Sequence, residues 1–238
     1  MLRIHLDTVD STMQYLARPE LSACEDSFIV VTADYQTAGR GQKGTSWESE
    51  AGKNLLLGLL LRPTFLHPQE QFYLSEICAL ALVETLNTYA DGFTIKWPND
   101  IYFGDKKLVG ILIENNLSGQ YVGYSIVGIG VNVNQTAWLS NAPNPISMKE
   151  ITGKNYDVET LMNEWILSLK SWEIAPVDDI RAAYLAHLYR REGWYPYVER
   201  EVSLTPTAIA REGIDNTFLA EFVNVTEQGE LLLRLERY

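Results

Sequence analysis

Arg40 lies between two glycines in the stretch Gln36-Thr37-Ala38-Gly39-Arg40-Gly41-Gln42-Lys43-Gly44-Thr45-Ser46-Trp47. Three glycines in six residues allow a tight loop whose backbone can approach a ligand closely. The guanidinium of Arg40 is a rigid fork of donors suited to a carboxylate or a phosphate. Amides of a glycine loop add further donors for an anion. Lys43 sits in the same loop. The plainer alternative is a mobile surface loop, but Gln36, Arg40 and Trp47 together favour a loop that covers something. No Gly-Lys-Ser/Thr follows at the spacing of a P-loop.

Four other stretches hold polar groups where chemistry could use them. Asp10-Ser11-Thr12 can cap a helix running from Met13 to about Arg18, or present the same hydroxyls to a ligand. In Phe93 to Asp100, alternation puts Thr94 and Lys96 on one face and Phe93, Ile95 and Trp97 on the other. Pro98 ends the pairing, and Asn99-Asp100 is turn chemistry. Lys107 opens a strand in which Gly110 invites close approach of a ligand or another backbone. From Tyr121 to Asn134, Gly130, Asn132 and Asn134 share one face, and half-buried asparagines need partners. Taken singly, each stretch reads equally as a cap, a turn or a solvated lysine.

Several classes are disfavoured. Gly128-Ile129-Gly130 lacks a third glycine and a following helix, so it is no dinucleotide fingerprint. Gly123-Tyr124-Ser125-Ile126-Val127-Gly128 has the wrong spacing for a serine hydrolase elbow. His5, His67 and His187 are isolated, which argues against zinc. Cys24 and Cys78 form no CxxC pair and read as free thiols of a reducing compartment. A net charge of −12 opposes non-specific nucleic-acid binding. The longest apolar run, Leu55 to Leu61, is too short for a membrane, and Met1 to Asp10 lacks the plan of a signal peptide. A cytoplasmic protein without membrane or nucleic-acid partners is the expectation.

The elements that must position these groups are legible from period and punctuation. Ile4 and Leu6 mark a first strand; Phe28–Ala33 and Asn54–Leu61 mark buried strands on either side of the glycine loop. Pro68 opens a mostly buried helix over Gln69–Tyr89. Residues 101–103 and 107–114 form a hairpin around Gly104-Asp105. Asn141–Pro145 is a linker. Val158, Leu161, Met162, Trp165, Ile166 and Leu169 stripe one helix, and a second covers about Val177–Arg191 with Gly193 as its stop. Short strand-like segments follow at 198–203, 208–211, 217–223 and 231–235. They suggest a main domain over 1–193 and a small C-terminal β-barrel over 194–238.

With these motifs placed, the chain resembles a biotin–protein ligase. The resemblance rests on Asp10–Thr12, the loop Gln36–Trp47, Lys-Trp-Pro-Asn-Asp at 96–100, Lys-Leu-x-Gly-Ile-Leu-x-Glu at 107–114 and Gly-x-Gly-x-Asn at 128–132. It implies an α+β fold like the class II aminoacyl-tRNA synthetases, with a mixed, largely antiparallel sheet backed by helices. It implies that biotin and ATP react to give biotinyl-AMP, and that biotin then passes to a lysine of a biotin carboxyl carrier domain in a carboxylase or decarboxylase. Mg²⁺ would shield the phosphates. Some members carry an N-terminal helix-turn-helix; here the motifs start by residue 10, so the monofunctional type is expected. Many relatives dimerise through the sheet, which makes a homodimer one of the expected states.

By position, the resemblance assigns Arg40, Lys107 and Asp100 to catalysis, with Asp100 orienting the incoming lysine. It assigns Ser11, Thr12, Gln36, Arg40, Gly41, Gln42, Lys107 and Gly110 to biotin, Gly110 leaving room for the ring. It assigns Gly39, Arg40, Trp47, Asn99, Lys107 and Asn132 to ATP. Gln42 and Thr45 stand where the family often has basic residues, and Met13 where it often has asparagine. A lipoate–protein ligase, and a non-catalytic module that binds biotin or a carrier, are the rival readings. The intact Lys-Trp-Pro-Asn-Asp block and glycine loop speak against the first. Retention of both Arg40 and Lys107 speaks against the second.

Overall fold

The computed structural model describes residues 1–42, 45–139, 144–198 and 217–236. Its main sheet contains β1 (Leu2–Val9), β2 (Phe28–Gln36), β3 (Leu55–Leu61), β4 (Phe93–Lys96), β5 (Asp100–Phe103), β6 (Lys106–Ser118) and β7 (Tyr121–Val131). The seven strands lie in the order β1-β2-β3-β7-β6-β5-β4. Strands β1 and β2 are parallel, and every other neighbouring pair is antiparallel. This is the expected mixed, largely antiparallel sheet. The helices are α1 (Thr12–Leu16), α2 (Pro19–Ser22), α3 (Phe72–Asn87), α4 (Met148–Thr152), α5 (Val158–Glu173) and α6 (Val177–Ala186).

The two faces of the sheet are covered differently. On one face Val30, Leu57, Leu59, Val127 and Ile129 join α3, α5 and α6 in the large core. On the other, Ile29, Val31, Leu60 and Ile126 pack beneath Met13 and Leu16 of the short α1. Strand β3 is buried at every residue because both of its faces are covered. Helix α3 buries twelve of its sixteen residues, so it has a sheet on one side and helices on the other. Helix α5 buries Leu161, Met162, Trp165, Ile166 and Leu169, as its period requires. Burial raises the pKa of the Cys78 thiol, and both Cys24 and Cys78 are free.

Several boundaries differ from the sequence expectation, three of them for a visible reason. Pro68 opens a 3-10 turn over Pro68–Glu70, and the α-helix starts at Phe72. Helix α6 stops at Ala186 because β4 needs a partner: Ile95 donates to the His187 carbonyl at 2.8 Å, and Tyr189 donates to the Ile95 carbonyl at 2.8 Å. Strand β7 stops at Val131 because the Asn132 amide turns to the Leu108 carbonyl, at 3.0 Å.

After α6 a second, antiparallel sheet contains β8 (Trp194–Val198), β9 (Thr217–Val225) and β10 (Leu231–Leu235), in the order β10-β9-β8. The segment expected at 208–211, and all but Val198 of the one at 198–203, lie outside the described residues, as do residues 141–143 of the linker. Val225 is fully buried in the large core, so the end of β9 rests against the main sheet's helices. Among the described residues no helix is long and apolar enough to cross a membrane.

Candidate active site

The candidate site lies on the α1 face of the sheet, and a ladder of glycines makes its floor. Gly58 faces Gly128 across β3 and β7, and Gly110 faces Gly130 across β6 and β7. Alternation puts Gly128 and Gly130 on the same face. A Cβ on Gly58 would meet Leu16 Cδ1 at 2.8 Å, and one on Gly128 would meet Met13 Sδ at 2.5 Å. A Cβ on Gly110 would meet Trp47 Cζ3 at 2.8 Å, and one on Gly130 would collide with the same indole. So α1 lies on the first pair and Trp47 on the second.

Trp47 is brought there by the glycine–arginine loop, which folds as a small hairpin. The Trp47 amide donates to Gly39 O at 3.0 Å and the Gly41 amide to Thr45 O at 2.8 Å, while Arg40 and Ser46 form a bridge. Thr45 Oγ1 donates to Gln42 O at 2.8 Å, so the residue standing where a basic one is frequent helps close the hairpin. Gly39 must be glycine because a Cβ would lie 2.7 Å from the Trp47 carbonyl. Lys43 and Gly44 lie outside the described residues.

Arg40 and Lys107 each have a carboxylate partner. Arg40 Nη2 is 3.0 Å from Glu114 Oε1, with side-chain exposures of 43% and 45%. Lys107 Nζ is 2.7 Å from Asp100 Oδ1, with exposures of 32% and 20%. The first pair is open to water and worth at most about 1 kcal/mol, so another anion can exchange into it. Lys107 Nζ also lies 5.8 Å from the Trp47 ring centroid.

A β-bulge places Lys107. Ile101 pairs with Val109 but Tyr102 pairs with Lys107, so Leu108 is an extra residue in β6. Strict alternation would send Lys107 and Gly110 to opposite faces. The bulge cancels this, and a Cβ on Gly110 would be 3.3 Å from Lys107 Cε. Asp100 pairs with Gly110 and therefore shares its face.

Ser11 and Thr12 are both 2% exposed at the start of α1. Gln36 Oε1 accepts from the Thr12 amide at 2.8 Å and from Thr12 Oγ1 at 3.1 Å, tying β2 to α1. Asn99 is turned onto β6: its Nδ2 donates to the Ile111 carbonyl, and its own carbonyl accepts from the Ile111 amide at 2.9 Å. Asn132 Nδ2 donates to Ile146 O at 3.1 Å. Asn132 Oδ1 and Trp47 Nε1 are buried without hydrogen-bond partners among the described residues. Trp47 lies on the site face, so its indole N–H is a donor left over for a polar ligand, whereas Asn132 follows the end of β7.

A cleft of about 620 Å³ opens on the other side of the loop, lined by Gln36, Gly39, Trp47, Glu48, Gln135 and Leu139. That size suits a small-molecule ligand. Lys107 and Asp100 are not among its walls; Trp47 borders both regions. A buried amide network holds the cleft wall. Asn54 Nδ2 donates to Gln135 Oε1 at 2.6 Å, Asn54 Oδ1 accepts from the Val133 amide at 3.0 Å, and Glu48 Oε1 accepts from the Leu139 amide at 2.7 Å.

Sequence reasoning missed Asn54, Gln135 and Glu48, since nothing local marks them. It also gave Glu114 no role, although Glu114 shares the alternation face of Gly110 and closes its motif. Of the assigned residues, Ser11, Thr12, Gln36, Asp100, Lys107 and Gly110 lie on this face, Gly39, Arg40, Gly41, Gln42 and Trp47 in the loop above it, and Asn99 and Asn132 just outside the ends of β5 and β7. The side-chain amide donor of Asn99 is already engaged by β6.

A Mg²⁺ ion retains several waters and needs one or two carboxylates plus substrate phosphates. The three-residue group of possible metal ligands among the described residues is His5, Asp7 and Asp34, all exposed on β1 and β2. Near Lys107 the carboxylate in contact is Asp100, at 2.7 Å from Nζ.

Known proteins resemble this chain in sequence and in fold. The profile of the Biotin/lipoate A/B protein ligase family matches residues 6–132. The chain is 33% identical over 198 residues to the bifunctional ligase/repressor BirA of Escherichia coli, covering 82% of this chain and 56% of that protein. It is 33% identical over 218 residues to a biotin--[acetyl-CoA-carboxylase] ligase of Paracoccus denitrificans, covering 86% and 83%. It superposes with a TM-score of 0.72 on the biotin protein ligase from Aquifex aeolicus in complex with biotin and ATP, at 26% identity and 99% coverage of both chains. The chain spans about half the length of the bifunctional relatives it matches. With the matched segment holding every motif from Asp10 to Asn132, the chain belongs to the biotin/lipoate A/B protein ligase family.

Proposed function

We propose that this chain is an ATP-dependent biotin–protein ligase acting on the carrier domain of a biotin-dependent carboxylase or decarboxylase. One observation carries the reading: Arg40, Trp47 and the Lys107–Asp100 pair converge over the Gly110–Gly130 floor, beside the Thr12–Gln36 contact. Free thiols at Cys24 and Cys78 support a reducing compartment, the cytoplasm.

In the first step a carboxylate oxygen of biotin attacks the α-phosphorus of MgATP, and the bond to the β-phosphate breaks to release pyrophosphate. Two anions must meet, so the site has to supply positive charge and alignment. Lys107 reaches the shared side of carboxylate and α-phosphate, and Arg40 exchanges Glu114 for them. Ser11, Thr12 and Gln36 bind the ureido end, with Gly110 beneath the ring. Gly41 and Gln42 add loop contacts to the carboxylate end. Trp47, Asn99, Asn132 and Gly39 flank the nucleotide. In the second step the amine of the carrier lysine attacks the acyl carbon, the acyl–phosphate bond breaks, and AMP leaves. Asp100, freed from Lys107, orients that amine. The loop excludes water from the adenylate between the steps.

The test is pyrophosphate release from MgATP with biotin, run beside lipoate. Release with biotin and not with lipoate is expected. Release with lipoate alone would move the chain to lipoate chemistry, and binding of biotin with no release would leave only a binding module.

A further inference from the structure

Trp97 sits in the Lys-Trp-Pro-Asn-Asp block, two residues before Asn99, yet its ring packs into the core on the opposite face of the sheet. Its indole Nε1 donates to the carbonyl of Gly229 at 2.8 Å. Gly229 belongs to the turn between β9 and β10, closed by Gly229 N to Thr226 O at 2.9 Å and Thr226 N to Glu230 O at 2.8 Å. Its φ is +87°, and a Cβ there would collide with the ring of Phe72. The turn is therefore seated on α3, and only glycine fits the seat.

The rest of the hairpin is clamped from α6. Arg181 donates to the Val225 carbonyl and pairs with Glu76 of α3, whose carboxylate is almost fully buried. Tyr184 stacks edge-on against Phe72 with centroids 5.6 Å apart, and its hydroxyl donates to Pro98 O at 3.4 Å. A lone partner removed from such a network leaves a buried group unpaired, so the network has few alternative arrangements.

From Trp97 to Asp100 the block is thus held at each residue. Gly229 holds Trp97, Tyr184 holds Pro98, β6 holds Asn99 through Ile111, and Lys107 holds Asp100. We propose that Trp97 is a positioning residue: anchored on the β9–β10 turn, it fixes the Pro98–Asp100 turn so that Asp100 meets Lys107 and Asn99 meets Ile111. The C-terminal sheet then serves the site through one indole hydrogen bond. The consequence for catalysis rests on the ligase reading above; the positioning itself does not.

The test uses Trp97→Phe, which keeps an aromatic ring in the core and deletes the donor. Amide hydrogen exchange is followed in the full chain at Ile111, whose amide bonds to Asn99 O, and at Asn132, whose amide bonds to Leu108 O. Expected is about tenfold faster exchange at Ile111 with Asn132 unchanged. For biotin-dependent pyrophosphate release, kcat should fall about tenfold with KM for biotin within about twofold, because orientation and not binding is lost. Trp97→Tyr, a second aromatic replacement that lacks the indole donor, should give the same pattern. Unchanged Ile111 exchange in a folded variant overturns the proposal, as does equal acceleration at Ile111 and Asn132, which would mean general loosening. Absence of biotin-dependent release in the unsubstituted chain would remove the ligase reading, and the exchange result would still decide the role of Trp97.

Discussion

Two glycine pairs in one sheet face do different work. Gly58 and Gly128 receive helix α1, whose Thr12, Met13 and Leu16 are nearly inaccessible. Gly110 and Gly130 receive Trp47, a half-buried ring at the end of a loop tied by a solvent-exposed ion pair. The local reason for glycine is the same in both, a close approach that a Cβ would block. The difference is what lies above. At the first pair the cover is continuous with the core, and nothing can replace it without a cavity. At the second the cover is one side chain on a hairpin of loop residues, which another flat group can displace at modest cost. On the ligase reading, the binding surface is a core surface whose lid is held weakly.

The largest effect is expected at Lys107, beside the second pair. Lys107→Ala should lower adenylation by about 100- to 1000-fold, the cost of removing a preorganised charge from a transition state. The urea midpoint should barely move. A variant that adenylates normally would show that the anions are held elsewhere.

Next come the floors themselves. Gly58→Val should cost about 2–3 kcal/mol of stability, since it overpacks a buried contact with the backbone of Thr12. Gly130→Val should cost less than half of that, because the Trp47 hairpin can move, while adenylation is lost. Urea unfolding of both proteins checks this; equal destabilisation would erase the distinction between helix floor and ligand floor.

The covers give a smaller contrast. Met13→Ala should destabilise by about 2–4 kcal/mol through the cavity it leaves. Trp47→Ala should destabilise by less than about 2 kcal/mol despite removing a larger side chain, because the indole is only half buried. Calorimetry in matched buffers would decide, and the reverse order would make Trp47 part of the core.

The smallest effect is expected at Glu114→Gln. Loss of the exposed pair with Arg40 is worth about 0.2–1 kcal/mol, so the KM for biotin should fall by no more than about fivefold as Arg40 is freed. The difference should vanish near 1 M salt, where screening acts within about 3 Å. A salt-independent rise in KM would mean that Glu114 touches the ligand.

Much of this molecule is legible in its sequence alone. The order of the motifs, the alternation that sets Gly128, Gly130 and Asn132 on one face, and the stripe from Leu161 to Leu169 follow from period and residue type alone. The Gly39–Trp47 loop announced its own tight turn, because glycine content and a closing aromatic are local signals. The site residues were named from the same stretches. Their contacts were not: Arg40 with Glu114, or Gln36 with Thr12, joins residues far apart in sequence.

What tertiary structure alone decided is register and seating. Alternation in Lys107–Gly110 puts the lysine on the wrong face, and only pairing with β5 inserts Leu108 as a bulge and turns Lys107 toward Asp100. The amide network of Asn54 and Gln135 has no local mark, because each residue is defined by its partner across the cleft. Trp97 reads as the buried face of a short strand, and its bond to Gly229 depends on a hairpin more than a hundred residues later. Sequence sets which groups exist and which face each prefers, since those follow from backbone period over a few residues. Which face wins at a bulge, and which distant carbonyl meets which donor, follows from pairing between strands, and that is settled only when the chain closes on itself.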